Sequence, residues 1–177
     1  AGLGLAAGVG ICLGIIAGMS RRAGKIVLIP SFLLHPVPKT LFIPLIVLST
    51  GIGETSKIIL VFLALVFQII LSIRDSVRSI PKGYFTSIQA AGGGKRSSLR
   101  WIVLPAVMPG LFSTIRISLG IAAAVLFFAE YFGTEFGMGL FILDARTSID
   151  CRDLYSGVLA LSLMMLIRFR ILALAEK

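Results

Sequence analysis

Four apolar runs leave this chain few ways to fold in water. Leu3–Met19, Ser56–Ile73, Pro109–Phe128 and Leu154–Ile167 are almost free of charge, and Ile171–Ala175 extends the last beyond two arginines. A helix needs roughly 20 mostly apolar residues to cross a bilayer. In hydrocarbon every backbone N–H and C=O must be satisfied within the segment, which selects helices over open sheets. A shorter run, Thr40–Thr50, follows a further apolar piece, Ile26–Leu34. The two are separated by His35-Pro36-Val37-Pro38, where the prolines lack a donor and restrict the residue before them. The pattern predicts an all-α integral membrane protein, a bundle of about five transmembrane helices forming a single domain over residues 1–177. Hydrophobic residues make up 57% of the chain, against about 45–50% in soluble domains.

The first run carries small residues at four-residue spacing, Gly4 and Gly8, then Gly10, Gly14 and Gly18. Such spacing lets two helices approach closely. The run has no basic leading region and no small-residue cleavage site of the kind a signal peptide needs. The chain also lacks an initiator Met, as a fragment would.

The net charge of +9 is placed as a membrane topology requires, not as a nucleic-acid footprint. With Arg21 inside, the spans alternate and three regions face the cytoplasm. The first holds Arg21, Arg22, Lys25 and Lys39; the second Arg74, Arg78, Lys82, Lys95, Arg96 and Arg100; the third Arg168, Arg170 and Lys177. The outward regions hold only Lys57, Arg146 and Arg152, and most of the acids. The bias puts the C-terminus in the cytoplasm. The basic residues form no aromatic-interleaved stripe, so no nucleic-acid partner is expected.

Enzyme chemistry finds no support. Asp144, Asp150 and Asp153 form the sole acidic cluster, with no histidine beside them. His35 is the single histidine, and Cys12 and Cys151 lie far apart without CxxC or Cys/His spacing, so no metal site is expected. There is no GxxxxGK[ST] loop for a nucleotide phosphate.

The connection of about residues 79–104 is more informative. Ser79 is a candidate N-cap with Pro81 in the first turn. Tyr84, Phe85, Ile88 and Ala91 then share a face of a short helix. Gly92-Gly93-Gly94 ends it, with glycine available for positive φ. Ser97 or Ser98 is placed to open a second helix, running through Leu99, Trp101, Ile102 and Leu104 into the membrane. An exposed apolar face on a cytoplasmic helix suits a groove in a partner; the alternative is packing against the bundle's own inner end.

Here the residues resemble a family. Gly92, nine residues, then Ile102-Val103-Leu104-Pro105 is similar to the second half of the EAA loop of bacterial ATP-binding-cassette (ABC) importer permeases. In the first half, Thr86-Ser87-Ile88 stands where Glu-Ala-Ala is usual. The segments Gly51–Leu60, Arg116–Gly120 and Ala129–Ala145 resemble permeases of the nitrate, sulfonate, taurine and bicarbonate group. Against that pattern one helix upstream of Leu3 is missing, and His35-Pro36-Val37-Pro38 replaces a more usual Arg-Pro-x-Pro.

The resemblance implies a non-catalytic inner-membrane subunit with an EAA-type coupling loop. It implies cytoplasmic ABC ATPase partners that bind the ATP and magnesium, with no cofactor in this chain. A second permease subunit, most simply an identical copy, and an extracytoplasmic binding protein complete the assembly. The implied coupling residues are Tyr84, Phe85, Thr86, Ile88, Ala91, Gly92, Leu104 and Pro105. The implied substrate is a small anion such as nitrate or a sulfonate. An ATP-independent carrier or channel is the competing reading, and it has no use for a docking loop.

Four further residues are candidates for the translocation path or its gate. Arg116 lies within a span, where a cation either lines a cavity or snorkels to the interface. Glu130 can pair with Arg146, shape an outer gate, or end a helix in solvent. Gly137 and Gly139, with Gly133, mark a bent segment near the outer mouth or an ordinary loop.

Overall fold

The computed structural model describes residues 1–132 and 136–175, with side chains to Ile171. Gly133 and Glu135 of the predicted outer segment, and Lys177, lie outside them. Among the described residues the chain is helical throughout, with no strand. The order is α1 (Gly2–Met19), α2 (Arg21–Leu34), a 3₁₀ turn (Lys39–Phe42), α3 (Ile43–Thr50) and α4 (Glu54–Arg78). Then come α5 (Lys82–Ala90), α6 (Lys95–Ser98), a π-helical turn (Leu99–Val103), α7 (Leu104–Phe132), α8 (Met138–Thr147) and α9 (Cys151–Ala175). Four stretches are long and apolar enough to cross a membrane: α1, α4, the run Lys95–Phe132, and Cys151–Ile171. A fifth is formed if α2 and the Lys39–Thr50 segment make one broken span.

The predicted spans are all present, but several are longer than hydropathy indicates. The helix holding Ser56–Ile73 begins at Glu54 and runs to Arg78. The helix holding Pro109–Phe128 takes in Leu104 to Phe132. Amphipathic ends with charged residues extend a helix past its hydrocarbon portion, which an apolar-run reading trims away.

The contacts divide the chain into two units. One comprises residues 7–37 and 66–115. Its core is the face of α4 formed by Val66, Ile69, Ile70, Ile73 and Val77, all buried. The glycines of α1 meet that face: a Cβ at Gly10 would stand 2.6 Å from Ile69 Cγ2, at Gly14 2.7 Å from Ile73 Cβ, and at Gly18 2.5 Å from Val77 Cβ. Real Cβ contacts are never so close, so the hydrogen side chain is what permits this separation. Of the two glycine rows, only Gly10, Gly14 and Gly18 are used this way. Gly4 and Gly8 face open space. The turn into α2 is equally tight, with Ser20 Oγ accepting from Ala23 N–H at 3.4 Å and Gly24 pressed on the Ala17 carbonyl. Ser72 and Thr114 are hydrogen-bonded at 2.5 Å. Gly110 leaves room for the Ser76 hydroxyl.

The other unit comprises residues 1–6, 38–65 and 116–177. Ile43, Leu60, Leu65, Val125, Ala129, Ile142 and Ala145 are buried in it. Helices α8 and α9 pack as a hairpin, with Gly157 against Ile142 and Phe141. Ser56 is buried and donates to the Gly51 carbonyl while bonded to Thr50 Oγ1. It therefore ties the preceding turn to the helix from within the first turn of α4, which begins at Glu54.

Candidate functional site

Two groups of residues carry the functional reading, one in each unit. The first is the loop between α4 and α7. Helix α5 spans nine residues and none is buried. It ends at a glycine corner: Gly92 has φ +78°, Gly93 N–H donates to the Ile88 carbonyl at 2.8 Å, and Gly92 N–H to the Gln89 carbonyl at 3.0 Å. This pair of 6→1 and 5→2 bonds is the Schellman motif, and it requires the left-handed residue between them. Gly93 is held by a second constraint, since a Cβ there would lie 2.5 Å from Ile88 Cγ2.

The predicted caps are different. Ser79 Oγ donates to the Ser76 carbonyl at the end of α4. Pro81 precedes α5 at its N-terminus without a side-chain cap. Helix α6 starts at Lys95, earlier than Ser97 or Ser98, and Ser98 is buried with its hydroxyl on the Gly94 carbonyl. A serine able to bond a carbonyl three or four residues back is as well satisfied inside a helical turn as at its start.

The face foreseen on α5 is divided. Tyr84 is 61% exposed and Ala91 is exposed, whereas Phe85 and Ile88 are half-buried. Phe85 turns into a groove of this unit, and Ile88 packs on Gly93. Thr86 Oγ1 donates to the Gly83 carbonyl at 2.8 Å. So the outward surface of α5 centres on Tyr84, and Phe85 and Ile88 fasten the helix to its own unit.

Beyond the corner the backbone widens. Leu104 N–H bonds to the Leu99 carbonyl, five residues back, in the turn before Pro105. Proline's ring collides with the carbonyl four residues earlier and removes a donor, so one wide turn is the economical way to pass it. Leu104 and Pro105 are both exposed, and Trp101 is 70% exposed with Arg100 stacked 5.6 Å from its ring centroid.

The second group lies at the start of α8. Glu130, near the end of α7, turns its carboxylate toward Gly137 and Gly139. Oε2 accepts the Gly139 N–H at 2.8 Å, at the second residue of α8. A carboxylate there satisfies a free backbone donor and meets the positive end of the helix dipole. The glycines make room: Gly137 has φ +148° and a Cβ there would collide with the Glu130 carboxylate, and a Cβ at Gly139 would lie 2.6 Å from Glu130 Cβ.

Lys57 completes the group. Its Nζ lies 2.8 Å from Glu54 Oε1, 3.2 Å from the Phe136 carbonyl and 3.8 Å from Glu130 Oε1. Its side chain is 9% exposed and that of Glu130 13%. Sequence reading counted Lys57 as one of the outward loop cations. The available signal was the Glu54–Lys57 spacing of three at a helix start, which puts both on one face. Glu130 does not pair with Arg146; Arg146 instead donates to the Tyr131 hydroxyl at 2.7 Å.

Arg116, the remaining candidate, contacts the last helix. It is half-buried, and its guanidinium carbon lies 5.5 Å from the centroid of Phe169 in α9, a cation–π contact. Among the described residues no group of His, Cys, Asp and Glu could hold a metal ion.

Four to five helices long and apolar enough to cross a membrane, with a glycine-cornered helix in the basic connection between α4 and α7, define the class as a helical membrane protein. The family model for the binding-protein-dependent transport system inner membrane component matches residues 10–175, and the chain belongs to that family. It is 33% identical to a Bacillus subtilis permease protein assigned to aliphatic sulfonates transport, over 88% of this chain and 56% of that protein. It is 29% identical to the taurine transport system permease protein TauC of Escherichia coli, over 88% and 56%. The nitrate import permease protein NrtB of Synechococcus elongatus is 28% identical over 90% and 60%. The chain thus spans a little over half the length of these relatives. The fold matches that of the MetNI methionine ABC transporter in an inward-facing conformation, with a TM-score of 0.76 over 99% of this chain and 89% of that one, at 18% identity.

Proposed function

We propose that this chain forms half of the translocation path of an ABC importer and takes its drive from a cytoplasmic ATPase through the segment 79–104. The observation that supports this most is α5: a surface helix with Tyr84 outward, fixed by the Schellman corner at Gly92 and joined by chain to the spanning helices α4 and α7. A force on such a helix is passed to both through the hydrogen-bonded corner, where Gly93 N–H is held on the Ile88 carbonyl and a Cβ at Gly93 would already meet Ile88 Cγ2 at 2.5 Å. In this reading Tyr84, Thr86 and Ala91 meet the ATPase. Phe85, Ile88, Gly92, Leu104 and Pro105 hold the helix in place and pass its displacement on. ATP and magnesium belong to the partner, and nucleotide binding shifts a two-state equilibrium of the permease.

The partners are two ATPase subunits, a second permease, most simply a second copy of this chain, and an extracytoplasmic binding protein. The basic connections and the C-terminus face the cytoplasm. The Lys57–Glu130–Gly139 group then lies at the outer end, where it sets the shape of the mouth, and Arg116 supplies a cation for the path. The substrate is a small anion of the nitrate or sulfonate kind, as the relatives' names suggest. The test is ATP-driven uptake of labelled nitrate, taurine and an alkanesulfonate in proteoliposomes holding the full-length protein with its ATPase and binding protein. Uptake of one of these, abolished by Tyr84→Asp, is the expected result. Uptake driven by an ion gradient without ATP would favour a carrier instead.

A further inference from the structure

The unit formed by residues 7–37 and 66–115 contains an open groove of about 1390 Å³. Its lining comes from the end of α1, from α2, from the end of α4 and from α5 and α6. The apolar part includes Leu28, Ile29, Phe32, Val77 and Phe85. Five cations border it: Arg21, Lys25, Arg78, Lys82 and Lys95. All five are exposed, and none belongs to an ion pair among the described residues. No acidic residue lines the groove, and the sequence has none from Ala1 to Gly53 or from Ser76 to Ala129. The apolar wall also continues onto an open surface, where Ile26, Ile29, Phe32 and Leu33 of α2 are each more than half exposed.

We propose that this groove binds one anionic phospholipid, with its phosphate among the cations and an acyl chain along the apolar wall. Two features select this occupant. The excess of positive charge with no compensating carboxylate calls for an anion, and basic pockets beside spanning helices hold lipid headgroups by this arrangement. The apolar wall calls for a ligand with a hydrocarbon portion, which excludes a free phosphate as the best fit. An acidic protein segment would meet the charges but leave the exposed Ile29, Phe32 and Leu33 without an apolar partner. Because Phe85 of α5 is part of the wall, an occupied groove braces the connection between α4 and α7.

The test is native mass spectrometry of the detergent-purified protein, with the subunits that accompany it, titrated with palmitoyl-oleoyl phosphatidylglycerol or the matching phosphatidylcholine. One phosphatidylglycerol should bind per chain in preference to phosphatidylcholine. Replacing three exposed cations outside α5, Arg21→Gln, Lys25→Gln and Arg78→Gln together, should weaken it about a hundredfold, at about a fivefold loss per headgroup charge. Arg152→Gln, far along the sequence in α9, should leave binding unchanged. Equal binding of the two lipids by the unaltered protein would overturn the proposal, independently of any variant. So would undiminished binding by the triple variant, or displacement of the lipid by millimolar inorganic phosphate, which would mark a plain anion site. Lipid that binds only after accompanying subunits are stripped away would show the groove to be a protein–protein contact.

Discussion

Removing the Glu130 carboxylate tests the Lys57–Glu130–Gly139 group most sharply, because the residue makes two separable interactions. It accepts the Gly139 N–H at the N-terminus of α8 and stands 3.8 Å from the ammonium of the nearly buried Lys57. Losing a side-chain cap at a helix N-terminus costs about 0.5–2 kcal/mol, and leaving a nearly buried ammonium short of one ion-pair partner costs about 1–3 kcal/mol. Lys57 retains the Glu54 carboxylate and the Phe136 carbonyl, so the lower part of that second range applies. Glu130→Ala should therefore cost about 2–3 kcal/mol. Glu130→Gln keeps an acceptor for Gly139 and should cost about 1 kcal/mol, the charge alone. The charge contribution is isolated by a double-mutant cycle with Lys57→Met, read as unfolding by denaturant in detergent micelles. The two substitutions together should cost about 1 kcal/mol less than the sum of each alone. Additivity within about 0.3–0.5 kcal/mol, the range for independent sites, would refute the pairing.

Further expectations concern the glycines and Arg116. Gly14→Leu should disrupt the α1–α4 contact and abolish monodisperse protein in detergent, since even a Cβ meets Ile73 at 2.7 Å; Gly8→Leu, facing open space, should elute as the unaltered protein does. Gly92→Val should cost about 1–2 kcal/mol or more at a left-handed position and reduce ATP-driven uptake, while Gly92→Asn, which tolerates that conformation, should retain most of it; equal loss in both would show that φ is not what matters there. Arg116→Lys keeps the charge but loses the planar stack on Phe169. If the charge serves the substrate, uptake by Arg116→Lys should exceed that by Arg116→Met; equal uptake would assign Arg116 to packing alone.

The spans and the corner could be read in advance because each rests on local chemistry. An apolar run of bilayer length has no stable alternative to a helix, and Gly92 follows a short amphipathic stretch where positive φ ends a helix. What could not be read depends on partners distant in sequence. Lys57 looks like a solvated loop cation until Phe136 and Glu130, more than seventy residues away, are brought to it. Which of two glycine rows in α1 contacts α4 depends on the rotation of one helix against another, and hydropathy is nearly uniform around α1. Phe85 and Tyr84 share a predicted face but part company because the groove of residues 7–37 and 66–115 takes one and leaves the other outside. The π turn before Pro105 was signalled only by the proline itself, which is compatible with an ordinary helix start.

The most direct test of the central claim is affinity purification of the full-length protein from its own membranes, with mass spectrometry of the proteins that accompany it. The account predicts a P-loop ATPase in stoichiometric amount, lost on Tyr84→Asp while the permease itself still inserts. A protein that purifies alone, or an ATPase that stays bound when Tyr84 is replaced, would contradict the assignment of α5 as the docking helix.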